Sequence, residues 1–325
     1  MMSQNLKYRK WSRLFAFTAF LSCAAVLVSC RRGSNSAGAG EDNAESVPPY
    51  SRILEDTIAS IVARYPGEIG VAVIIDNRDT VAVNNRSIYP MMSVFKLHQA
   101  IAVCNEFDRR GLSLDSLMTI RRDELNPETW SPMMEEHWEP VLELRVAELL
   151  QYTLAQSDNN ASNLMFERLV GIAETDSLVA TLIPRSSFQI VHTEAEMAAD
   201  HAKAYENYTS PLGAAMLMNR LFSDSLLNAE KQSFITATLR ECETGKDRIL
   251  APLLGEKGVV VAHKTGSGYR NAKGILAAHN DVAFISLPDW CYTLSVFVKD
   301  FLGDEAQASR VIAHISAVVY SILRH

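Results

Sequence analysis

The first apolar positions after residue 50 follow the period of an α-helix. They are Ile53, Leu54, Ile58, Ile61 and Val62. Residues at this spacing share one face of a helix, so the pattern predicts a helix that packs on a core. The pattern then changes to short apolar runs at 70–75 and 80–83, with polar residues at 76–78. These runs predict two strands joined by a turn.

The C-terminal part of the chain shows the same two patterns. Strand-like runs lie at 259–261, 274–287 and 292–299. A final amphipathic helix is predicted from Val311, Ile312, Ile315, Val318, Val319 and Ile322. The segment from about 91 to 240 is mostly helical in pattern, and prolines mark its loops. Strands therefore come from both chain ends and helices from the middle.

This order predicts a fold of the α/β (α+β) class. We expect an antiparallel sheet flanked by the terminal helices, with an all-helical subdomain inserted between its strands. The sheet layer would take about 50–90 and 241–325, the helical layer about 91–240, and the two together would form one domain of residues 50–325. A cleft between the layers is the natural place for a site.

The N-terminus has the pattern of a targeting segment. Four basic residues precede residue 14, and 14–28 is an almost purely apolar run, too short to favour a permanent transmembrane helix. It ends in Leu27-Val28-Ser29-Cys30, which resembles the lipobox of bacterial lipoproteins. We expect residues 1–29 to be a signal peptide, Cys30 to be lipidated, and 30–49 to be a flexible tether. The protein would then be anchored to a membrane in the periplasm or at the outer membrane. The alternative is ordinary cleavage that leaves a soluble periplasmic protein.

Charge and composition exclude several classes of function. The formal charge of −7 becomes −11 without residues 1–29, so no basic field favours nucleic acid. The histidines show no metal-ligand spacing, and we expect neither a metal nor a cofactor. An odd set of cysteines, Cys104, Cys242 and Cys291, remains after Cys30 and does not predict a disulfide framework. A monomer is expected.

Three short motifs carry the candidate chemistry. They are Ser93-Val94-Phe95-Lys96, Ser157-Asp158-Asn159 and Lys264-Thr265-Gly266. Each occurs once, and together they supply the parts for serine acyl transfer. A helix that begins at Ser93 puts Lys96 on the same face, and its N-terminal amides favour an oxyanion.

The motif residues suggest separate roles. Lys96 is either the base for Ser93 or the charge that holds the base's water. Ser157 can relay a proton to a leaving amine, and Asn159 can bind both a substrate carbonyl and the lysine. Lys264 and Thr265, at the end of a strand, can hold a substrate carboxylate. The N–H of Ser267 is a candidate second oxyanion donor.

In this order the motifs resemble those of serine β-lactamases and penicillin-binding proteins. In class A β-lactamases the deacylating glutamate follows the Ser-Asp-Asn motif by about 35 residues, and Glu194 stands 35 residues after Asn159. Glu196 is a rival for this role. The resemblance implies hydrolysis of β-lactam antibiotics by a catalytic domain of residues 50–325. The alternatives are a penicillin-binding DD-peptidase and a binding module that has lost the chemistry.

The resemblance extends to the predicted substrate contacts. It implies that Trp130 stacks on the substrate and that Arg248, rather than Arg270, binds its carboxylate. Two features depart from the common pattern. Ala198 stands where an Asn usually holds the hydrolytic water, and His192 and Asn207 replace an Arg–Asp pair that closes the omega loop. Both departures also occur in the CfxA-type cephalosporinases, which this sequence resembles. The resemblance implies a preference for cephalosporins over carbapenems.

Overall fold

A five-stranded antiparallel sheet organises the structure, a computed structural model that describes residues 49–324. From one edge to the other, the strands are β2 (Asp79–Val83), β1 (Glu68–Ile75), β10 (Cys291–Phe301), β9 (Leu276–Ser286) and β8 (Val260–Ser267). Strands from both ends of the chain therefore meet in one sheet. The strand β8, which carries the third motif, lies at an edge.

Helices supply most of the remaining structure. They are α1 (Pro49–Val62), α2 (Phe95–Arg109), α3 (Pro132–Glu136), α4 (Val146–Ala155), α5 (Asn159–Arg168), α6 (Ile172–Val179), α7 (Glu194–Ala199), α8 (Pro211–Ser223), α9 (Ala229–Arg240) and α10 (Glu305–Leu323). All except α1 and α10 lie between β1–β2 and β8 in the sequence. The terminal helices α1 and α10 pack together with the sheet in one hydrophobic cluster.

The alternation of side chains along β1 explains the layers. Val71 and Val73 belong to the cluster shared with α1 and α10, whereas Ala72 and Ile74 pack against Ala215 of α8. Successive strand residues point to opposite faces, so the sheet is covered on both sides. By length and composition alone α10 could cross a membrane, but its apolar residues Val311, Ile312 and Ile315 are fully buried in this core. Its apolar character is therefore explained by packing in the protein.

The predicted fold class is confirmed, with one correction to the inserted segment. This segment is not all helical, because β4 (Leu117–Arg121) and β5 (Val141–Arg145) form a hairpin within it. A second small sheet joins β3 (Tyr89–Pro90), β7 (Tyr208–Thr209) and β6 (Phe188–Gln189). The predictions of a signal peptide at 1–29, lipidation at Cys30 and a tether at 30–49 concern residues outside the described part, apart from Pro49 at its start.

Candidate active site

Ser93 lies in a single 3-10 turn, Met92–Val94, directly before α2. Val94 at the end of this turn and Leu97 and Ala100 of α2 are fully or almost fully buried, and they fix the start of the helix in the core. Met92 has φ of 46°, a left-handed conformation that costs a residue other than glycine about 1–3 kcal/mol. Packing around the turn therefore holds the serine in a geometry that the local sequence does not favour.

The edge strand β8 approaches the Ser93 turn closely because Gly266 has no side chain. A Cβ at this position would lie 2.4 Å from the carbonyl oxygen of Met91. Asn280 of β9 ties the two segments together, since its Nδ2 donates to the carbonyls of Pro90 at 2.8 Å and Met91 at 3.2 Å. The glycine of the third motif thus brings its strand against the turn that carries the first motif.

Lys96 is the centre of a buried polar network. Its Nζ lies 3.1 Å from Ser93 Oγ, 2.6 Å from Asn159 Oδ1 and 2.8 Å from the carbonyl oxygen of Ser157. It also forms an ion pair with Glu194 at 2.9 Å. The amine can therefore donate to, or accept a proton from, the groups around the serine hydroxyl.

The second motif owes its geometry to Asp158, which is fully buried and caps α5. Its carboxylate accepts hydrogen bonds from Ser131 Oγ and from the amides of Met133 and Ala161. The preceding residue, Ser157, has φ of 61° and places its hydroxyl 3.0 Å from Lys264 Nζ and 3.5 Å from Lys96 Nζ. Ser157 consequently bridges the lysines of the other two motifs.

Glu194 is the first residue of α7 and is almost fully buried. Ser93 Oγ donates to its Oε1 at 2.8 Å. Glu196 has a different task, because its carboxylate accepts from the amide of Thr193 at 2.8 Å and completes a capping box. The geometry therefore places Glu194, and not Glu196, at the serine.

The segment that leads into α7 is closed by a neutral amide. Asn207 Oδ1 accepts from the amides of Val191 at 2.8 Å and His192 at 2.9 Å, and its Nδ2 donates to the carbonyl of His192 at 2.7 Å. The ring of His192 contacts Glu206 instead, with Nε2 2.9 Å from the carboxylate. The loop therefore closes through hydrogen bonds to the backbone at these positions rather than through an Arg–Asp ion pair.

The opposite wall of the site comes from β8. Lys264 and Thr265 lie within this strand rather than at its end. Lys264 is fully buried, and burial lowers its pKa from 10.5 to about 7. Arg248 is also buried and donates to Ser267 Oγ at 2.6 Å. Arg270, in contrast, donates to the carbonyls of Gly274 and Gly303 outside the cleft.

These residues surround a cleft of about 410 Å³ between the two layers. Its lining includes Ser93, Trp130, Ser157, Asn159, Glu194, Thr265 and Ser267. Trp130 is half exposed and donates through Nε1 to the carbonyl of Gln156 at 2.8 Å. Three buried basic side chains lie just beneath this surface: Lys96, Lys264 and Arg248. Their basic groups therefore lie behind the hydroxyls that line the cleft.

Several residues of the lining were not predicted from the sequence. They are Met92, Met197, His201, Thr244, Gly268 and Tyr269. Thr244 stands four residues before Arg248, and Tyr269 three residues after Gly266. Proximity to the motifs was thus an available signal for these two. His201 carried no comparable signal, since it reaches the cleft only through the path of the chain after α7.

The fold and the site together define a serine hydrolase of the class A β-lactamase type, with a serine, two lysines, a second serine and a glutamate around one cleft. The chain belongs to the β-lactamase enzyme family, whose model matches residues 53–323.

Relatives and solved structures agree with this assignment. The chain is 67% identical to a β-lactamase of Phocaeicola vulgatus over 277 residues, which cover 85% of this chain and 86% of the relative. It is 34% identical to the extended-spectrum β-lactamase PER-1 of Pseudomonas aeruginosa, over 83% of this chain and 87% of the relative. A class A β-lactamase structure from Bacteroides cellulosilyticus superposes with a TM-score of 0.80 at 31% identity, over 84% of this chain and 98% of the other. The chain is therefore a hydrolase that acts on β-lactams, and these similarities favour that activity over a DD-peptidase.

Proposed function

We propose that the chain hydrolyses β-lactams through an acyl-enzyme on Ser93, and that Glu194 activates the water that releases the acyl group. One observation carries this proposal: Ser93 Oγ lies 2.8 Å from Glu194 Oε1 and 3.1 Å from Lys96 Nζ. A serine hydroxyl needs a neighbouring base to become a nucleophile at neutral pH. Both candidate bases are within direct reach here.

Acylation then follows from the positions of the side chains. Ser93 gives its proton to Glu194 or Lys96, and its Oγ bonds to the lactam carbonyl carbon. The amides of Ser93 and Ser267 stabilise the oxyanion. The C–N bond of the lactam breaks, and the leaving nitrogen takes a proton from Ser157. The proton that Ser93 gave up then passes through Lys96 to Ser157 and restores its hydroxyl.

Deacylation uses the same glutamate. Glu194 takes a proton from a water molecule, the resulting oxygen attacks the ester carbonyl, and Ser93 recovers its proton as the ester bond breaks. Ala198 lines the cleft beside Glu194 and has no side-chain hydrogen-bonding group. The position of the water therefore depends on Glu194 itself more than in enzymes that have an amide at this position.

We further propose that cephalosporins are preferred over carbapenems and that their carboxylate binds along β8. Thr244, Thr265 and Ser267 present hydroxyls to the cleft. Lys264 and Arg248 place positive charge directly behind these hydroxyls. An anion in this position would gain charge-assisted hydrogen bonds. The similarity to CfxA-type cephalosporinases supports the preference within the β-lactams.

The experiment that tests the mechanism separates acylation from deacylation. Glu194→Gln keeps the shape of the side chain but removes the base. Because Lys96, the other candidate base, still lies 3.1 Å from Ser93 Oγ, we expect this variant to react with a chromogenic cephalosporin and then to stall. Intact-protein mass spectrometry should show an adduct that persists on Ser93.

Two further variants serve as controls for this test. Ser93→Ala should form no adduct and lose turnover to below about a thousandth of the wild-type rate. Glu196→Gln should turn over almost normally, since Glu196 serves as a helix cap. The assignment of the base is wrong if Glu194→Gln turns over normally and Glu196→Gln accumulates the adduct.

A further inference from the structure

Thr244 contacts Thr265 in the wall of the cleft that β8 forms. The Oγ1 atoms of the two residues lie 2.6 Å apart. Both residues line the cleft, and Thr265 is almost fully buried. This distance is that of an O–H···O hydrogen bond, in which either hydroxyl can be the donor. The direction of this bond decides whether the proton of Thr265 is free for a substrate.

The backbone on both sides of Thr244 fixes this contact. The amide of Glu243 donates to the carbonyl of Ala155 in α4 at 2.8 Å, which ties the segment to the inserted layer. Gly245 has φ of 65°, and a Cβ there would lie 2.5 Å from Thr265 Cγ2. The close approach of Thr244 to Thr265 therefore depends on a glycine in the turn.

A carboxylate bound along β8 would set the direction of the hydrogen bond. An ionised carboxylate only accepts, so Thr265 must give it the one proton of its hydroxyl. Thr265 Oγ1 can then only accept from Thr244. Thr244 has thereby used its own proton, and Cys242 Sγ, 3.4 Å from Thr244 Oγ1, is left to donate to it. Thr244 thus supports the bound carboxylate without donating to it.

The next hydroxyl of the same wall has the same arrangement. Arg248 Nη2 donates to Ser267 Oγ at 2.6 Å. A guanidinium group has no acceptor, so Ser267 must accept here and keeps its own proton for the cleft. Each of the two hydroxyls of β8 is therefore backed by a donor, which is a buried cation for Ser267 and a second hydroxyl for Thr265.

We propose that Thr244 is a positioning residue for β-lactams that carry an ionised ring carboxylate, because it donates to Thr265 and directs the proton of Thr265 to that carboxylate. Hydrogen bonds in a row polarise and strengthen one another. Loss of the Thr244 hydroxyl therefore weakens the bond from Thr265 to the substrate. The proposal rests on the proposed function, since it takes the carboxylate to bind along β8.

The kinetic test compares Thr244→Val, which keeps the branched shape without the hydroxyl, with Thr244→Ser, which keeps the hydroxyl. For a cephalosporin with a free carboxylate we expect Thr244→Val to lower kcat/KM about threefold to tenfold, mainly through KM. Thr244→Ser should recover most of this loss.

The methyl ester of the same cephalosporin provides the decisive comparison, because it has no ionised carboxylate. Thr244→Val should hydrolyse the ester with the wild-type kcat/KM. The matched control is Thr238→Val, which removes a buried hydroxyl from α9 that donates to the carbonyl of Phe234 at 2.9 Å. This control should leave kcat/KM for both the acid and the ester unchanged.

A double-mutant cycle tests whether Thr244 acts through Thr265. Thr265→Val removes the hydroxyl that binds the carboxylate in the proposed arrangement. Residues that act as one unit give non-additive losses, so the addition of Thr244→Val to Thr265→Val should lower kcat/KM no further. Equal losses from Thr244→Val in both backgrounds would mean that Thr244 contacts the substrate itself or acts only through the fold, and would overturn the proposal.

The outcomes distinguish failure of this proposal from failure of the proposed function. A wild-type protein that forms no acyl-enzyme with a cephalosporin would refute the proposed function. A wild type that hydrolyses the acid, with the same ratio of kcat/KM for acid and ester in Thr244→Val, would refute only the role of Thr244. This ratio does not depend on the amount of folded protein, so a less stable variant still gives a result.

Discussion

At the scale of single residues, two arginines near the cleft differ in what their guanidinium groups contact. Arg248 is buried and donates to Ser267 Oγ in the cleft, whereas Arg270 is bound to backbone carbonyls outside it. A charge-assisted hydrogen bond contributes about 1.5–3 kcal/mol, so we expect Arg248→Ala to lower kcat/KM for a cephalosporin about tenfold to a hundredfold. Arg270→Ala is the matched control and should cost far less. A larger loss in Arg270→Ala, or faster hydrolysis of carbapenems than of cephalosporins, would contradict the proposed pocket.

The buried amine of Lys264 leads to a prediction about how kcat/KM depends on pH. Burial lowers its pKa to about 7, so the free enzyme loses this positive charge as the pH rises through neutrality. Because kcat/KM reports ionisations of the free enzyme, it should fall on the alkaline side. Lys264→Arg keeps its charge at these pH values and should move the alkaline limb upward. Lys273→Arg, in an exposed turn, should leave the limb in place. An identical limb in Lys264→Arg would assign the titration to another group.

At the scale of elements, an aromatic contact in the lining of the cleft joins the 3-10 turn His201–Tyr205 to the residues after β8. The rings of His201 and Tyr269 stack with centroids 3.8 Å apart, and Tyr269 Oη donates to the carbonyl of His201. Both residues line the cleft. We therefore expect this contact to limit the size of the acyl side chain that the cleft can take.

Removal of the stack should change selectivity between substrates. We expect Tyr269→Ala to raise kcat/KM for a cephalosporin with a large acyl side chain, relative to one with a small side chain, by about threefold to tenfold. Tyr205→Phe is the control, since Tyr205 Oη donates to Asp300 at 2.6 Å and Tyr205 does not line the cleft. An unchanged ratio in Tyr269→Ala would show that the stack does not set the width of the cleft.

The helices and strands also show how much of the fold could be predicted from the sequence. Strands at both chain ends and the two terminal helices followed from periodicity alone, because each buries a continuous apolar face. The hairpin of β4 and β5 was missed although both strands alternate between buried and exposed residues. They are short, and the 19 residues between them hide their pairing. A strand of five residues that is far from its partner resembles a loop until the contact is known.

The site also contains residues that could be predicted from the sequence and contacts that could not. Ser93, Lys96, Ser157 and Lys264 belong to short motifs, and the structure brings all four within one network. The contact of His201 with Tyr269 could not be foreseen, because it depends on the path of the chain after α7. Contacts of this kind are set by tertiary packing rather than by the spacing of residues in the sequence. No sequence pattern therefore predicts them.

At the scale of the whole molecule, the site depends on contact between the two layers. The nucleophile and Glu194 come from the inserted segment, while Lys264 and Ser267 come from the edge of the sheet. Gly266 and Asn280 join these parts at the Ser93 turn. A change that separates the layers would therefore lengthen the distance between Lys264 and Ser157, whereas the contacts of Ser93 lie within one layer.

The location of the whole molecule is the subject of the last prediction. We propose that Cys30 carries the lipid that anchors the protein, on the basis of the Leu27-Val28-Ser29-Cys30 sequence after an apolar run. Each buried methylene contributes about 0.8 kcal/mol, and two acyl chains give stable anchoring where one is marginal. Cys30→Ala should therefore leave the membrane fraction and appear soluble, with kcat/KM unchanged. Cys23→Ala, within the predicted signal peptide, is the control and should stay with the membrane. Equal partition of Cys30→Ala and wild type into the membrane fraction would mean that the lipobox is coincidental.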